Sequence, residues 1–424
     1  MVNSRRSFLA RGAALVGMLR VSGDAWEANR RLPEIAAGST DDEKAQARAA
    51  RIICDYDAQG IHRTATTVDA QSAHWLAAEL RHLGVGSQLE GFSIERVEPQ
   101  HAFVEVDGRY VSGVPLYDAG CTTAAGLIGT LGDLDSGSDI ALVSVSQGDE
   151  LVRDRSSSLA RARQSRHIGV VLVTRSARPG LALLNAESFL NPSGPPMLQV
   201  SEVEADWLMQ RARRRLTVRL VAPFARIPAR ALNVVGFVHG RQDSLAPLVV
   251  MTPRSGWWNC ASERGGGIAA WLEAARAVAR ERPARSVLFA ATTAHELGMI
   301  GLDAFLASRW YLARDAHAWI HFGASIGATG QRNLIQASDT ELVALARGAL
   351  GLQGLAIDAL APSGTAPGGE VRRIYQSGGR YISLLADNPL FHLASDRWPE
   401  AVDIESVRRQ AAAFAALAVR LAGA

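Results

Sequence analysis

Two short apolar runs, separated by a glycine-rich helix start, constrain the fold of this chain more than any other feature. Residues 248–251 (LVVM) and 286–291 (SVLFAA) are continuous apolar runs, which are typical of strands covered on both faces. Between them, three consecutive glycines at 265–267 open a helical pattern over residues 268–278. This order predicts a βαβ unit within an α/β fold: a mixed, mostly parallel sheet sandwiched by helices.

Each of the two predicted strands runs into a loop rich in polar residues. Residues 252–264 (TPRSGWWNCASER) follow the first strand, and residues 292–296 (TTAHE) follow the second. Ligands of open α/β sheets bind outside the carboxyl ends of the strands. The sequence therefore predicts the functional site at these two loops.

The motifs in these loops resemble those of the zinc aminopeptidase family, metallopeptidase family twenty-eight, which includes bacterial leucine aminopeptidases, glutamate carboxypeptidases and glutaminyl-peptide cyclases. The family carries HxD after the first strand, a DN(A/G)SG loop at the helix start, EE after the second strand, and a later Asp and His. In this chain, Glu263 falls on the metal-bridging Asp, and residues 294–301 (AHELGMIG) fall on GEELGLLG. His392, in the NPLFHLASD segment, falls on the last metal-binding His.

The resemblance implies one zinc ion held by Glu263, Glu296 and His392, with a fourth coordination position open. The second ion of the two-metal members is not expected, because Thr252 replaces the His of HxD and Gly323 replaces the later Asp.

Three further residues complete the predicted site. His295 replaces the general base of the family, and an imidazole can take up a proton at neutral pH or can itself ligate a metal. Arg254 or Arg264 is predicted to reach the space of the lost ion and to supply its positive charge. Alternatively, Glu263 and Arg264 form a solvated pair at the helix entrance.

Three functions are compatible with these residues. The first is a hydrolase or acyl-transfer enzyme with one zinc ion that acts on a peptide or a small amide, as the resemblance implies. The second is a catalytically inactive homologue that binds peptides or proteins. The third is a metal-free hydrolase that uses Ser255 or Ser262 with His295 and a carboxylate.

The chain divides into three predicted parts. Residues 1–37 form a signal and leader, because residues 4–9 (SRRSFL) match the twin-arginine export pattern, which predicts a periplasmic or secreted protein. Residues 38–109 and 223–424 form the aminopeptidase-like domain. The β-rich residues 110–222 resemble a protease-associated domain, an insert that caps the active site in some members of the family.

Composition excludes other classes of function. The net charge of +3 is too small to favour nucleic acid as a partner. No apolar run reaches the ~20 residues that a membrane span needs. The three cysteines are too few and too widely spaced for a disulfide framework. His321, on a predicted strand, is expected to be buried and hydrogen-bonded.

Overall fold

The computed structural model describes residues 39–149, 156–330, 332–362 and 364–423. The predicted export motif at residues 4–9 lies outside these ranges. Within them, no helix has the length and apolar character needed to cross a membrane.

The described ranges contain sixteen strands and ten α-helices. The strands are β1 (Gly86–Pro99), β2 (Phe103–Val106), β3 (Arg109–Ser112), β4 (Val114–Pro115), β5 (Leu127–Asp133), β6 (Ile140–Ser146), β7 (Gly169–Arg175), β8 (Met197–Ser201), β9 (Thr217–Val221), β10 (Phe224–Val238), β11 (Leu248–Pro253), β12 (Val287–Thr292), β13 (Ala318–Phe322), β14 (Asn333–Ala337), β15 (Ala359–Leu360) and β16 (Tyr381–Ala386). The helices are α1 (Asp41–Ala58), α2 (Thr67–His82), α3 (Ser158–Gln164), α4 (Ala205–Arg213), α5 (Gly266–Arg280), α6 (Ile300–Ala307), α7 (Leu312–Asp315), α8 (Thr340–Leu352), α9 (Val371–Gln376) and α10 (Ile404–Gly423).

The sheet that carries the site has eight strands in the order β1-β10-β12-β11-β13-β16-β14-β15. Its centre is parallel, since β11 pairs in parallel with both β12 and β13, and β13 pairs in parallel with β16. The antiparallel pairs lie towards the edges. The two apolar runs that predicted a βαβ unit are therefore neighbouring parallel strands joined by α5, and the predicted mixed sheet is confirmed.

Helices cover both faces of this sheet because its central strands are apolar on both sides. Val250 of β11 packs in a cluster with Trp271 of α5 and Phe414 of α10. Its neighbour Met251 points to the opposite face and packs in a cluster with Phe305 of α6. This alternation is the two-residue period of a strand, and it explains why the strands read as continuous apolar runs.

A second sheet of eight strands, ordered β3-β2-β9-β5-β6-β7-β8-β4, lies between β1 and β10 in the sequence. Its strands extend from Phe103 to Val221. The sheet thus includes β2, which precedes the predicted start of the insert at residue 110. The β-rich pattern predicted from the sequence corresponds to this sheet.

The glycines at the start of α5 are required by close packing. A side chain at Gly266 would overlap the carbonyl of Ile326, and one at Gly267 would meet the Thr252 hydroxyl at 3.0 Å. A Cβ atom has no room at Gly266 and would be tightly packed at Gly267, because the helix start lies directly against the end of β11 and the loop that follows β13.

Candidate functional site

The site lies where β11 and β12 end side by side. Thr252 is paired with Ala291, and the Arg254 N–H donates to the Thr292 carbonyl at 2.8 Å, which continues the pairing into the loops. Five non-glycine residues in the surrounding loops have positive φ: Cys260 (56°), Ala294 (59°), Met299 (67°), Ser325 (73°) and His392 (57°). Such strained backbone persists only where the surrounding structure enforces it, and it clusters at functional sites.

Glu263, Arg264 and His392 form the centre of the site. Glu263 and Arg264 lie in a short π-helix, Ala261–Gly265, whose residues are all buried. Nη2 of Arg264 lies 2.8 Å from Glu263 Oε1, and Nε2 of His392 lies 3.5 Å from the same oxygen. Burial opposes the charge of Glu263, but Arg264 and His392 outweigh it and lower the pKa of Glu263 to about 2. The pair is not solvated, since the two residues are 0% and 1% exposed.

The hydrogen bonds of this centre are incomplete. Arg264 Nε donates to the Ser255 carbonyl at 2.8 Å, which fixes the guanidinium. Neither Nη atom of Arg264 and neither carboxylate oxygen of Glu263 makes a well-directed hydrogen bond within the part of the chain that the structure describes. The 2.8 Å contact is therefore an ion pair with poor hydrogen-bond alignment.

Backbone contacts hold His392 in place. Its Nδ1 lies 2.6 Å from the Leu183 carbonyl, so Nδ1 carries the proton and Nε2 faces Glu263. Trp258 Nε1 donates to the His392 carbonyl at 2.9 Å. Leu183 belongs to the segment between β7 and β8, so the second sheet supplies part of the wall of the site.

Glu296 is buried and engaged by hydroxyl groups. Its Oε1 accepts from the Thr64 N–H at 2.9 Å and from the Thr64 hydroxyl at 2.7 Å. Its Oε2 accepts from the Ser255 hydroxyl at 2.6 Å. Glu296 thus ties together the loop before α2 and the loops after β11 and β12. Sequence reasoning left the Thr64 turn out of the site.

His295 pairs with Glu370, a residue that sequence reasoning missed. His295 Nδ1 lies 3.6 Å from Glu370 Oε1, too far for a hydrogen bond. The Thr292 hydroxyl lies 2.7 and 2.8 Å from the two Glu370 oxygens. Burial opposes the charge of Glu370, but the nearby histidines and this hydroxyl outweigh it, so the pKa of Glu370 is lower than usual.

His321 is buried beside this pair and hydrogen-bonded, as its position on a strand suggests. Its Nδ1 lies 2.8 Å from the Ser383 hydroxyl, and burial lowers its pKa to about 3. The imidazole is therefore neutral at physiological pH.

Arg254 makes a separate ion pair. Its Nη1 donates to Asp69 Oδ1 and to the Asp69 carbonyl, both at 2.8 Å, and its Nη2 donates to the Leu232 carbonyl. Both partners are almost fully buried. Arg254 therefore fastens α2 to the loop after β11, whereas Arg264 is the guanidinium beside Glu263.

Asp396 positions the π-helix. Its carboxylate accepts from the Ser262 N–H (2.8 Å), the Ser262 hydroxyl (2.7 Å) and the Glu263 N–H (2.9 Å). Burial outweighs these bonds and raises the pKa of Asp396 to about 6. The Ser255 hydroxyl is likewise occupied by Glu296, so neither serine donates to an imidazole, as a serine hydrolase would require.

The residues present do not fit the predicted zinc ion. Among the residues described, no three His, Cys, Asp or Glu side chains are grouped so that they could hold a metal. Glu263 and His392 are close together, but Arg264 lies against Glu263, and both oxygens of Glu296 already accept hydrogen bonds. The structure therefore does not assemble Glu263, Glu296 and His392 as a ligand set.

Part of the sequence and the fold are similar to those of known proteins. Residues 238–357 match the sequence model of Peptidase family M28. No curated protein sequence matches the chain.

Three solved structures share the fold over most of both chains. A peptidase M28 precursor from Shewanella amazonensis SB2B is 18% identical over 90% of this chain and 95% of its own, with a TM-score of 0.73. BSAP, a zinc aminopeptidase from Bacillus subtilis, is 16% identical over 88% and 94%, with a TM-score of 0.69. An aminopeptidase from Aneurinibacillus sp. strain AM-1 is 13% identical over 88% and 93%, with a TM-score of 0.66.

These identities are low, so the three structures establish the fold and not the activity. The sequence match covers β11, α5, β12 and β13, together with the connecting loops and the π-helix that carry Arg254, Glu263, Arg264, His295 and Glu296. Residues 238–357 are thus similar in sequence to peptidase family M28, and the fold is similar to that of these three solved structures.

Proposed function

We propose that this protein binds the free amino end of a peptide at the carboxyl edge of the larger sheet and does not hydrolyse the peptide with a metal ion. This is the function of an inactive peptidase homologue. The similarity of residues 238–357 to a peptidase family supports a peptide as the ligand, and the ion pair between Glu263 and Arg264 argues against a zinc-dependent reaction.

One observation carries the proposal. Glu263 is ionised, because its pKa is about 2, and it is fully buried. Its two oxygens nevertheless accept no well-directed hydrogen bond from the described residues, although Arg264 and His392 lie 2.8 and 3.5 Å from Oε1. Buried carboxylates are normally hydrogen-bonded, and an ammonium group with three N–H donors would supply the missing bonds.

The charge of the surrounding residues supports an ammonium ligand. Five carboxyl groups lie at the site and two guanidinium groups balance them only in part: Asp69, Glu263, Glu296, Glu370 and Asp396 against Arg254 and Arg264. A cation complements this excess of negative charge, and the α-ammonium is the cation that every unblocked peptide carries. His295 is the most exposed of the predicted site residues, at 8%, so the ligand would enter on its side.

A single-zinc peptidase remains the second candidate. The observation that favours it is the 3.5 Å distance between Glu263 Oε1 and a correctly oriented His392 Nε2. The backbone carbonyl that holds Nδ1 is the kind of partner that orients metal-binding histidines. For this function, Arg264 would have to leave Glu263, and Glu296 would have to exchange its hydroxyl donors for the ion.

We also propose that the protein is exported and that its insert, residues 110–222, covers the site in the manner of a protease-associated domain. The twin-arginine motif at residues 4–9 supports export. A contact from the segment between β7 and β8 supports the proposal that the insert covers the site, since the Ala186 N–H donates to the Glu296 carbonyl at 2.8 Å. A variant with Lys at both Arg5 and Arg6 should remain in the cytoplasm, whereas its appearance in the periplasm would contradict export by this route.

The test of peptide binding compares short peptides with free and with acetylated amino ends by isothermal titration calorimetry. We expect binding of the free peptides only, and we expect Glu263→Gln to abolish it. Glu273→Gln, in the middle of α5 and paired with Arg48, is the control and should bind as the natural protein does. Equal binding of acetylated peptides, or release of amino acids from the free peptides, would overturn the proposal.

A further inference from the structure

Arg264 carries a permanent positive charge next to two residues that the zinc prediction makes metal ligands. We infer that its guanidinium has taken the place of the ion, so that the native centre is closed to zinc and only removal of Arg264 opens it. The inference rests on the proposed function for the location of the site, but its test needs no peptide.

The π-helix explains why Arg264 points inward beside Glu263. Cys260 has a left-handed backbone (φ 56°), and its carbonyl accepts from the N–H groups of both Arg264 (2.9 Å) and Gly265 (3.2 Å). All five residues of this wide turn are buried, so Glu263 and Arg264 both face the interior. Short π-helical turns of this kind are frequent at functional sites.

The charge of Arg264 cannot be removed or moved away easily. A guanidinium does not deprotonate in proteins, so the positive charge is present at every working pH. The side chain is 1% exposed, and its Nε is held by the Ser255 carbonyl at 2.8 Å. Unlike a surface arginine, it has no solvated position to which it can swing.

A zinc ion would compete with this charge for the same oxygen. Glu263 Oε1 lies 2.8 Å from Arg264 Nη2 and 3.5 Å from His392 Nε2, so an ion between Glu263 and His392 would stand beside the guanidinium. At that separation, the repulsion between like charges in a protein interior is large. Glu296 lies at the same edge of the sheet, and once the repulsion is removed it can serve as a third ligand by exchanging its donors from Thr64 and Ser255 for the ion.

The experiment titrates zinc into the full-length protein and into Arg264→Gln, and follows binding by calorimetry and by the visible absorption of Co²⁺ as a substitute. The natural protein should show no stoichiometric site. Arg264→Gln, which removes the charge and keeps a polar side chain of similar reach, should bind one ion per chain, at least about 100-fold more tightly than the natural protein does. Addition of Glu263→Gln to this variant should abolish the gain.

Arg163→Gln is the matched control, because Arg163 is also largely buried and lies 2.6 Å from a carboxylate, that of Asp118, but away from Glu263. It should gain no zinc site. One bound zinc in the natural protein, or a folded Arg264→Gln that binds no more zinc than the natural protein, would overturn the inference. The titration of the natural protein decides the question even if the variant does not fold. Failure of peptide binding alone would contradict the proposed function and leave this inference standing.

Discussion

Replacement of Arg254 by Met should destabilise the protein strongly, because it leaves the buried Asp69 carboxylate without its cation. Arg254 makes two 2.8 Å hydrogen bonds to Asp69 and a further one to the Leu232 carbonyl, and both charged side chains are at most 1% exposed. Asp69 would keep only its bonds from the Ala65 N–H and the Thr293 hydroxyl. Loss of one partner of a buried pair costs about 3–5 kcal/mol.

The pH dependence separates an unpaired charge from a simple loss of packing. Burial already raises the pKa of Asp69 while Arg254 lowers it, so the pKa in Arg254→Met should be higher still. A group with a raised pKa in the folded state stabilises it at low pH and loses that contribution as the pH rises. The destabilisation should therefore be about 3–5 kcal/mol at pH 8 and smaller near pH 5.

The assay is equilibrium unfolding in urea, followed by tryptophan fluorescence at both pH values. Arg373→Met is the control, because Arg373 makes a similarly short pair with Asp303 (2.8 Å) but is 32% exposed, and it should cost less than about 1 kcal/mol. Addition of Asp69→Asn to Arg254→Met should recover part of the loss. A cost below about 1 kcal/mol for Arg254→Met at pH 8 would refute the reasoning.

Two further predictions concern the loops of the site. The pKa of Asp396 is raised to about 6, so its contribution to the free energy of unfolding should be lost as the pH rises from about 4 through 6. Asp396→Asn should remove this pH dependence, which amounts to up to about 3 kcal/mol in urea unfolding. An unchanged pH dependence in the variant would contradict the prediction. Ser255→Ala should lower the free energy of unfolding by about 1–3 kcal/mol, because it deprives Glu296 Oε2 of its hydrogen-bond donor. Ser144→Ala, an exposed control, should change it by no more than about 0.5 kcal/mol. Equal effects of the two variants would be evidence against a structural role for the Ser255 hydroxyl.

The core of the fold was predictable because its signals are local. Apolar runs covered on both faces and a glycine-tight helix start appear directly in the sequence at residues 248–291, and they correspond to β11, α5 and β12. The start of the second sheet was less predictable. β2 is a four-residue strand, and its assignment to that sheet depends on pairing with β9, more than a hundred residues later.

The site was predictable only in part. Glu263 and His392 fall on recognisable motifs, and the structure brings them to 3.5 Å. Glu370 and Thr64 belong to no recognisable motif. They lie in the segment before α9 and in the turn before α2, and only the fold brings them to the site. The inward direction of Arg264 depends on a π-turn, and the sequence alone left open a solvated pair.

The zinc content of the natural protein tests the central claim most directly. The protein should be produced in cells grown with ample zinc, purified without chelator, and measured by inductively coupled plasma mass spectrometry together with its concentration. If Arg264 stands in for the ion, the zinc content should be far below one ion per chain and should not rise after dialysis against zinc. One firmly bound zinc ion per chain would contradict the account.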